Sequence, residues 1–398
     1  MSAKEQRKIF TQPLFIIFAL LTIVGLVCWF LQLTKGLQLT HLNNYNTWGL
    51  YIIGFMIFTG IAAGSLIFAS SAYLFPAMAE YKPYTRIAAF VGAIGSVVAA
   101  GLFIIVDIGN PERAWHIITS ANIASPMFWD TVILGTYVIL GIFFTRQLMA
   151  VHAGRKEEKS LKGIAVVSFI AGLFVMVTSF VFALQVARPL WNNPAEPVSF
   201  LAAALVAALA LLIIIFTVLN KSGYIDISQE KLSKLGKLAA VFLFFELFIV
   251  LGEAAIGLYV GSGEEAEIIH WLVKGEGAPF FWVELIAIVA GLVLLLSKKP
   301  GVLAAGSAVS IFAIFMIKYN LLQAQLLNPL ITYAGPPGYG GGEGVYLPSL
   351  VELGVAVGII SLGALLVIIG LDKLNLGLRS GKGAGRAADS FSGKAGQA

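Results

Sequence analysis

Cysteine is nearly absent: Cys28 stands alone in a chain of 398 residues. That excludes an internal disulfide framework, a CxxCH haem attachment and any cysteine-ligated iron–sulfur cluster held by this chain. Charge is scarce as well. Asp, Glu, Lys and Arg make up 12% of the residues, roughly half of what a soluble domain carries. There are four histidines, and none falls in the middle of an apolar run. A bis-histidine haem b needs two such residues on facing helices, so a cytochrome b is not expected. What the sequence has in quantity is apolar length: 59% of it is hydrophobic and its mean hydropathy is +0.90. The expected class is an all-α polytopic membrane protein.

A helix needs about 20 apolar residues to cross the hydrocarbon core. Ten runs qualify, at about 13–34, 47–76, 84–106, 125–149, 162–188, 197–219, 236–261, 279–297, 300–325 and 348–370. The first is too long for a signal-peptide core and no small-x-small cleavage site follows it, so it reads as a retained helix. Lys and Arg then set the orientation. With ten spans, 21 of them fall on the side of the two termini and four (Lys35, Arg113, Arg188 and Lys274) on the other, with Lys318 inside the ninth run. This sorting predicts that both termini are cytoplasmic. It also accounts for the net charge of +5 without nucleic-acid binding.

All seven Trp, and His41, His116 and His270, map to the opposite, outer edge. An interfacial belt would mark both edges, so this edge reads as a shaped, protein-covered surface. The loop GPPGYGGGEGVYLP at 335–348 lies there too. SPMFW at 125–129 opens the fourth run and APFFW at 278–282 opens the eighth. His116 precedes Trp129, His270 precedes Trp282, and Asp130 or Glu284 follows. The pattern predicts two parallel four-helix units with flanking helices. The expected divisions are 1–46 (tail and first helix), 47–190, 191–326, 327–372 (outer loop and last helix) and 373–398, a basic, Gly-rich disordered tail.

The chemistry-bearing residues gather near the outer edge. The stretch DIGNPERAWHIITSANIASPMFWD at 107–130 holds Asp107, Arg113, Trp115, His116, Trp129 and Asp130. Acids inside spans are costly and mark function. Glu246 and Glu253 lie seven apart, hence on one helical face and about 10 Å apart along its axis. With Glu284 they form a candidate proton pathway; interhelical hydrogen bonding for packing is the alternative. Asp107, Asp130, Glu284 and Glu352, with Arg188 and Lys318, fall at similar depth and could form one buried ring of opposite charges. Interfacial snorkelling would also account for any single member. Gly54, Gly60 and Gly64 read as close helix contacts.

WGLYIIGFMIFTGIAAGS (48–65), DIGNPERAWHI (107–117), SPMFWD (125–130), ARPLW (187–191) and YLPSLVE (346–352) together resemble the NrfD/PsrC-like polysulfide-reductase membrane subunits, in their ten-helix branch. The resemblance covers residues from about 45 to 370. It implies a subunit that binds a quinone, usually menaquinone, near the outer face and holds no haem or iron–sulfur cluster itself. It implies a four-cluster iron–sulfur ferredoxin-like partner on the outer loops, and through it a molybdopterin enzyme or a multihaem cytochrome c. Some members are suspected of proton translocation. The residues it implicates are Asp107, Arg113, Trp115, His116, Trp129 and Asp130, with Arg188, Lys318, Tyr346 and Glu352 in support. An Asn and a His at the start of an early helix correspond loosely to His41 and Asn44. The family often has Arg where Lys318 stands; Lys keeps the charge without the planar fork.

The residues agree with that chemistry. Quinone conversion needs an apolar slot, a donor on each carbonyl and titratable groups leading to water. His116, Asp107 and Asp130 are the candidate proton carriers, and Trp115 and Trp129 the candidate walls. Two other functions stay open at this level: an ion- or proton-coupled secondary transporter working through Glu246 and Glu253, and a structural anchor without quinone chemistry. Parallel repeats and polar residues biased to one face weigh against the transporter.

Overall fold

In the computed structural model, residues 12–44, 46–328, 345–374 and 376 are described. The basic residues Lys4, Arg7 and Lys8, loop residues 335–344 and the tail from 377 lie outside them. Among the described residues, ten helices are long and apolar enough to cross a membrane. They are α1 (Pro13–Lys35), α2 (Leu50–Leu74), α3 (Pro76–Asp107), α4 (Pro126–His152), α5 (Glu158–Ala183), α6 (Glu196–Lys221), α7 (Gln229–Val260), α8 (Ala278–Leu295), α9 (Pro300–Leu327) and α10 (Leu350–Lys373). No strand occurs among the described residues. The protein is all-α and polytopic.

Several helix ends follow from local chemistry. Proline opens α1, α4 and α9 at positions where no intrahelical N–H is needed. Ser349 caps α10 in a reciprocal capping box with Glu352. Gly261 ends α7 at φ +66, a left-handed conformation that glycine takes without a Cβ penalty. The fifth run stops earlier than its hydropathy suggests, at Ala183. Pro189 disfavours helical backbone at Arg188, so residues from Gln185 onward turn instead. Within α3, residues Val97–Phe103 form a π-helical turn, a local widening that recurs at functional sites. It precedes Asp107, which ends the helix.

Helices α2, α3, α4 and α5 pack in a ring, each against the next, with α5 closing on α2. The same pairings recur in α6, α7, α8 and α9, with α9 closing on α6. α2 joins the rings through α6 and α9, while α1 and α10 pair with each other and lean on α2 and α3. α2 is the most enclosed span. Lipid offers no hydrophobic gain for helix association, so close contact relies on small residues. A Cβ on Gly64 would lie 2.5 Å from the Ala204 carbonyl oxygen of α6, and one on Gly60 would lie 3.0 Å from Ala204 Cα. A Cβ on Gly54 would meet the Phe103 ring at 2.5 Å. Gly25 and Gly358 hold α1 against α10 in the same way.

Gly64→Leu is expected to force α2 and α6 apart and cost about 1–3 kcal/mol, read as a lower melting temperature of the purified protein in detergent. Gly135→Ala, at a helix position with nothing within 4 Å, is expected to leave it unchanged.

Candidate functional site

A polar-edged cavity in the first ring measures about 470 Å³, within the usual range for small-molecule sites. Its walls come from α2 (Ile52, Phe55, Met56, Thr59), the end of α3 and the loop after it (Ile104, Asp107, Arg113, Trp115), the start of α4 (Met127, Asp130, Leu134) and α5 (Thr178, Phe182). Trp48 and Phe200 complete it. Trp115 is 58% exposed, and Ile118 and Met127 are also exposed. They form an apolar mouth on the outside of the bundle.

Against this apolar lining stand three buried oxygens without a hydrogen-bond partner: Thr59 Oγ1, Asp107 Oδ1 and Asp130 Oδ1. A buried polar atom left unpaired costs about 1–3 kcal/mol, so the fold holds these atoms ready for another partner. Asp130 is placed by the Ser125-Pro126 start of α4, one turn inside the helix. Asp107 is delivered by the π-widened α3, and Gly109 at φ +72 turns the chain away.

Of the residues the sequence singled out, Asp107, Arg113, Trp115 and Asp130 line this cavity. His116 and Trp129 do not. His116 is exposed and stacks on Trp115, ring centroids 4.4 Å apart. Trp129 is exposed and its Nε1–H donates to the Ile123 carbonyl at 2.8 Å. Arg188 lies in an adjoining hollow of about 350 Å³ that shares Trp48, Met127 and Val181 with the cavity. Its guanidinium sits 5.7 Å from the Trp191 ring centre, and Trp191 stacks on Trp48 at 5.7 Å.

The expected single ring of opposite charges is divided among three places. Asp107 and Asp130 belong to the cavity, and Arg188 to the hollow beside it. Lys318 and Glu284 sit in the second ring, around a small cavity of about 50 Å³ with Glu196, Glu246 and Glu253. Lys318 is buried there. Its Nζ makes no hydrogen bond and lies 3.7 Å from the Phe200 ring centre. It acts electrostatically on all four acids. The acids are further held by Ser199 (to Glu246, 3.1 Å), Asn193 (to Glu253, 2.6 Å) and Asn320 (to Glu284, 2.5 Å).

Glu352 occupies the third place. Its Oε2 accepts from the N–H groups of Ser349 at 2.8 Å and His41 at 3.0 Å, and its Oε1 accepts from Tyr346 Oη. Tyr346 Oη also accepts from the Leu50 N–H at 3.0 Å. Burial and then the Glu352 carboxylate push the Tyr346 phenol well above its usual range, so it stays a donor at neutral pH. His41 Nδ1 meets the Leu347 carbonyl at 2.6 Å. His41, Tyr346 and Glu352 therefore tie α10 to the start of α2, away from the cavity lining.

The family model for polysulphide reductase, NrfD, matches residues 38–329, which contain the cavity, the adjoining hollow and the acid cluster. The chain belongs to the polysulphide reductase NrfD family. A Halobacterium salinarum protein described as a membrane subunit of dimethyl sulfoxide reductase is 31% identical over 396 residues, covering 90% of each chain. A selenate reductase subunit of Mesobacillus selenatarsenatis is 26% identical, over 71% of this chain and 74% of its own. A Nitratidesulfovibrio vulgaris protein is 25% identical, over 87% and 89%.

Sequence reasoning missed several residues of the cavity and of the acid cluster. Trp48 reads only as one of the outer-edge Trp, and Thr59, Phe182 and Phe200 give no site signal in the sequence. Glu196 fell just outside the apolar window of its run. Its signal was the Glu-Pro pair at 196–197, an acid at the first turn of a helix.

Tyr346→Phe removes the hydroxyl shared by Glu352 and the Leu50 N–H. It is expected to cost about 1–3 kcal/mol, measured by thermal unfolding, with little change in ligand affinity at the cavity.

Proposed function

We propose that this chain is the quinone-reactive membrane subunit of a respiratory reductase complex. The observation that carries the reading is the 470 Å³ cavity with unpaired Thr59, Asp107 and Asp130 oxygens in an otherwise apolar lining. A quinone or quinol headgroup fits that set: the Thr59 hydroxyl donates to a ring carbonyl, and the hydroxyls of the quinol donate to the Asp107 and Asp130 carboxylates. The isoprenoid tail leaves through the apolar mouth at Trp115 and Ile118. The relatives named as reductase subunits support the assignment to a complex.

Bound there, a quinone, which we take to be menaquinone, supplies two-electron, two-proton chemistry. The chain supplies the rest. Asp130 and Asp107 hold or release protons at their unpaired oxygens, Thr59 orients a ring oxygen, and Trp48, Phe55 and Phe182 exclude water. Arg113 and His116, beside the mouth, carry charge and protons towards the aqueous edge. Arg188, backed by the Trp191–Trp48 stack, faces the same region.

In this reading the face with the cavity is the outer face of a prokaryotic cytoplasmic membrane, and the termini are cytoplasmic. A four-cluster iron–sulfur ferredoxin-like subunit docks on the outer loops and exchanges electrons with the quinone. A molybdopterin enzyme or multihaem cytochrome c connects through it. The buried Glu246, Glu253 and Glu284, with Glu196 and Lys318, are proposed as a proton-holding station. That cluster also favours the second reading, an ion- or proton-coupled transporter. The two separate by co-purification: quinone and an iron–sulfur subunit accompany the first, neither the second.

Asp130→Asn is expected to lower quinol oxidation by the purified complex about 100-fold while the partner subunits still co-purify. Unchanged turnover in Asp130→Asn, or a complex free of extractable quinone, would overturn the proposal.

A further inference from the structure

The first ring holds more unpaired polar atoms than its cavity uses. Tyr137 Oη and Thr145 Oγ1 on α4, Ser65 Oγ on α2 and Ser168 Oγ on α5 make no hydrogen bond. Their side chains are 0–4% exposed. Serine and threonine inside helices commonly bond a backbone carbonyl three or four residues back. Ser70, Ser71 and Ser96 do so here, whereas Ser65, Thr145 and Ser168 do not. Buried polar groups left unpaired are few in native proteins, and ordered water is one of their usual partners.

Their positions form a series. Asp130, Tyr137 and Thr145 follow one another at seven and eight residues along α4. They therefore share a face, at steps of about 10–12 Å. Close approaches fix the neighbouring levels. A Cβ on Gly92 of α3 would lie 3.1 Å from Ser65 Cβ, and one on Gly141 of α4 would lie 2.8 Å from Ala93 Cβ. Ser65 thus stands at the level of Gly141, between Tyr137 and Thr145. A Cβ on Gly172 of α5 would lie 3.0 Å from the Ala63 carbonyl oxygen, which sets Ser168 one turn beyond, towards the face of the chain termini. Near that face, Phe144 meets the Tyr73 ring edge-on, Tyr73 Oη and Thr85 Oγ1 are 3.2 Å apart, and Lys82 pairs with the exposed Glu158 at the surface.

We propose that Tyr137, Ser65, Thr145 and Ser168 line a file of internal water that joins Asp130 to the face bearing the chain termini and conducts protons along it. The file runs through the first ring and is separate from the acid–lysine cluster of the second. Hydroxyls both donate and accept, so a chain of them with intervening water passes protons without a buried charge at every step. The quinone reading of the cavity determines only what supplies the protons. Under it, quinol oxidation at the cavity passes two electrons to the outer-side subunit and releases two protons along the file to the termini face, so turnover moves charge across the membrane.

Two measurements test the file in the full chain. Radiolytic hydroxyl labelling in lipid nanodiscs oxidises side chains that touch water regardless of surface exposure. Tyr137 is expected to label at least tenfold faster than Phe144, which is equally buried at 0% exposed, and than Tyr51, whose hydroxyl donates to Gln32 at 2.6 Å. Equal labelling would overturn the water file. In vesicles holding the whole complex, Tyr137→Phe and Thr145→Val are expected to slow proton release at the termini face during quinol oxidation at least tenfold, with quinone affinity unchanged. Unaltered release, or release at the cavity face alone, would overturn proton conduction along the file. Fast labelling of Tyr137 in a protein that binds no quinone would support the file and overturn the quinone reading instead.

Discussion

The contact between α2 and α6 at Gly60, Gly64 and Ala204 is what the remainder of the molecule depends on. Two helices meet there at backbone distance because neither presents a side chain larger than a methyl group. That approach sets the two four-helix rings side by side. It puts Thr59 of α2 and Phe200 of α6 at the same boundary. Phe200 is shared: it walls the cavity of the first ring and lies against Lys318 of the second. A wider separation of the rings would break that shared wall.

The second constraint is the treatment of polar groups. A membrane interior gives them no water, so each buried one pairs within the protein or remains ready for a visitor. The protein does both, in different places. Glu352, Tyr346 and Ser349 satisfy one another and fasten α10 to α2. Glu246, Glu253 and Glu284 each hold a neutral donor and feel Lys318. The oxygens of Asp107, Asp130 and Thr59 are left unpaired at the cavity. The acid cluster also keeps Glu196 Oε2, Glu246 Oε1 and Lys318 Nζ unpaired, so atoms free for chemistry lie in both rings, whereas the Glu352 group is fully engaged.

Much of this was legible along the chain. The ten spans appear because hydropathy over about 20 residues reports directly on the thickness of the hydrocarbon layer. Asp107, Arg113, Trp115 and Asp130 could be grouped because they are close in sequence as well as in space. His116 and Trp129 share that proximity but turn outward, since helical phase and the turn at Gly109 decide direction and one-dimensional spacing does not. Arg188, Lys318 and Glu352 looked equivalent because each lies near the same membrane edge. Depth is a single coordinate, however, and position around the bundle is another that hydropathy does not contain.

The sequence by itself determined the class, the number and approximate placement of the spans, the sorting of charge between loops and the family, because these depend on composition, periodicity and local motif. Only the tertiary structure decided which acids face one another, which of them remain unpaired, that Trp48 and Phe200 wall the cavity, and that Lys318 belongs to the second ring. Those outcomes follow from the rotation of each helix about its axis and from the choice of neighbour. Both are set by contacts between residues far apart in the chain.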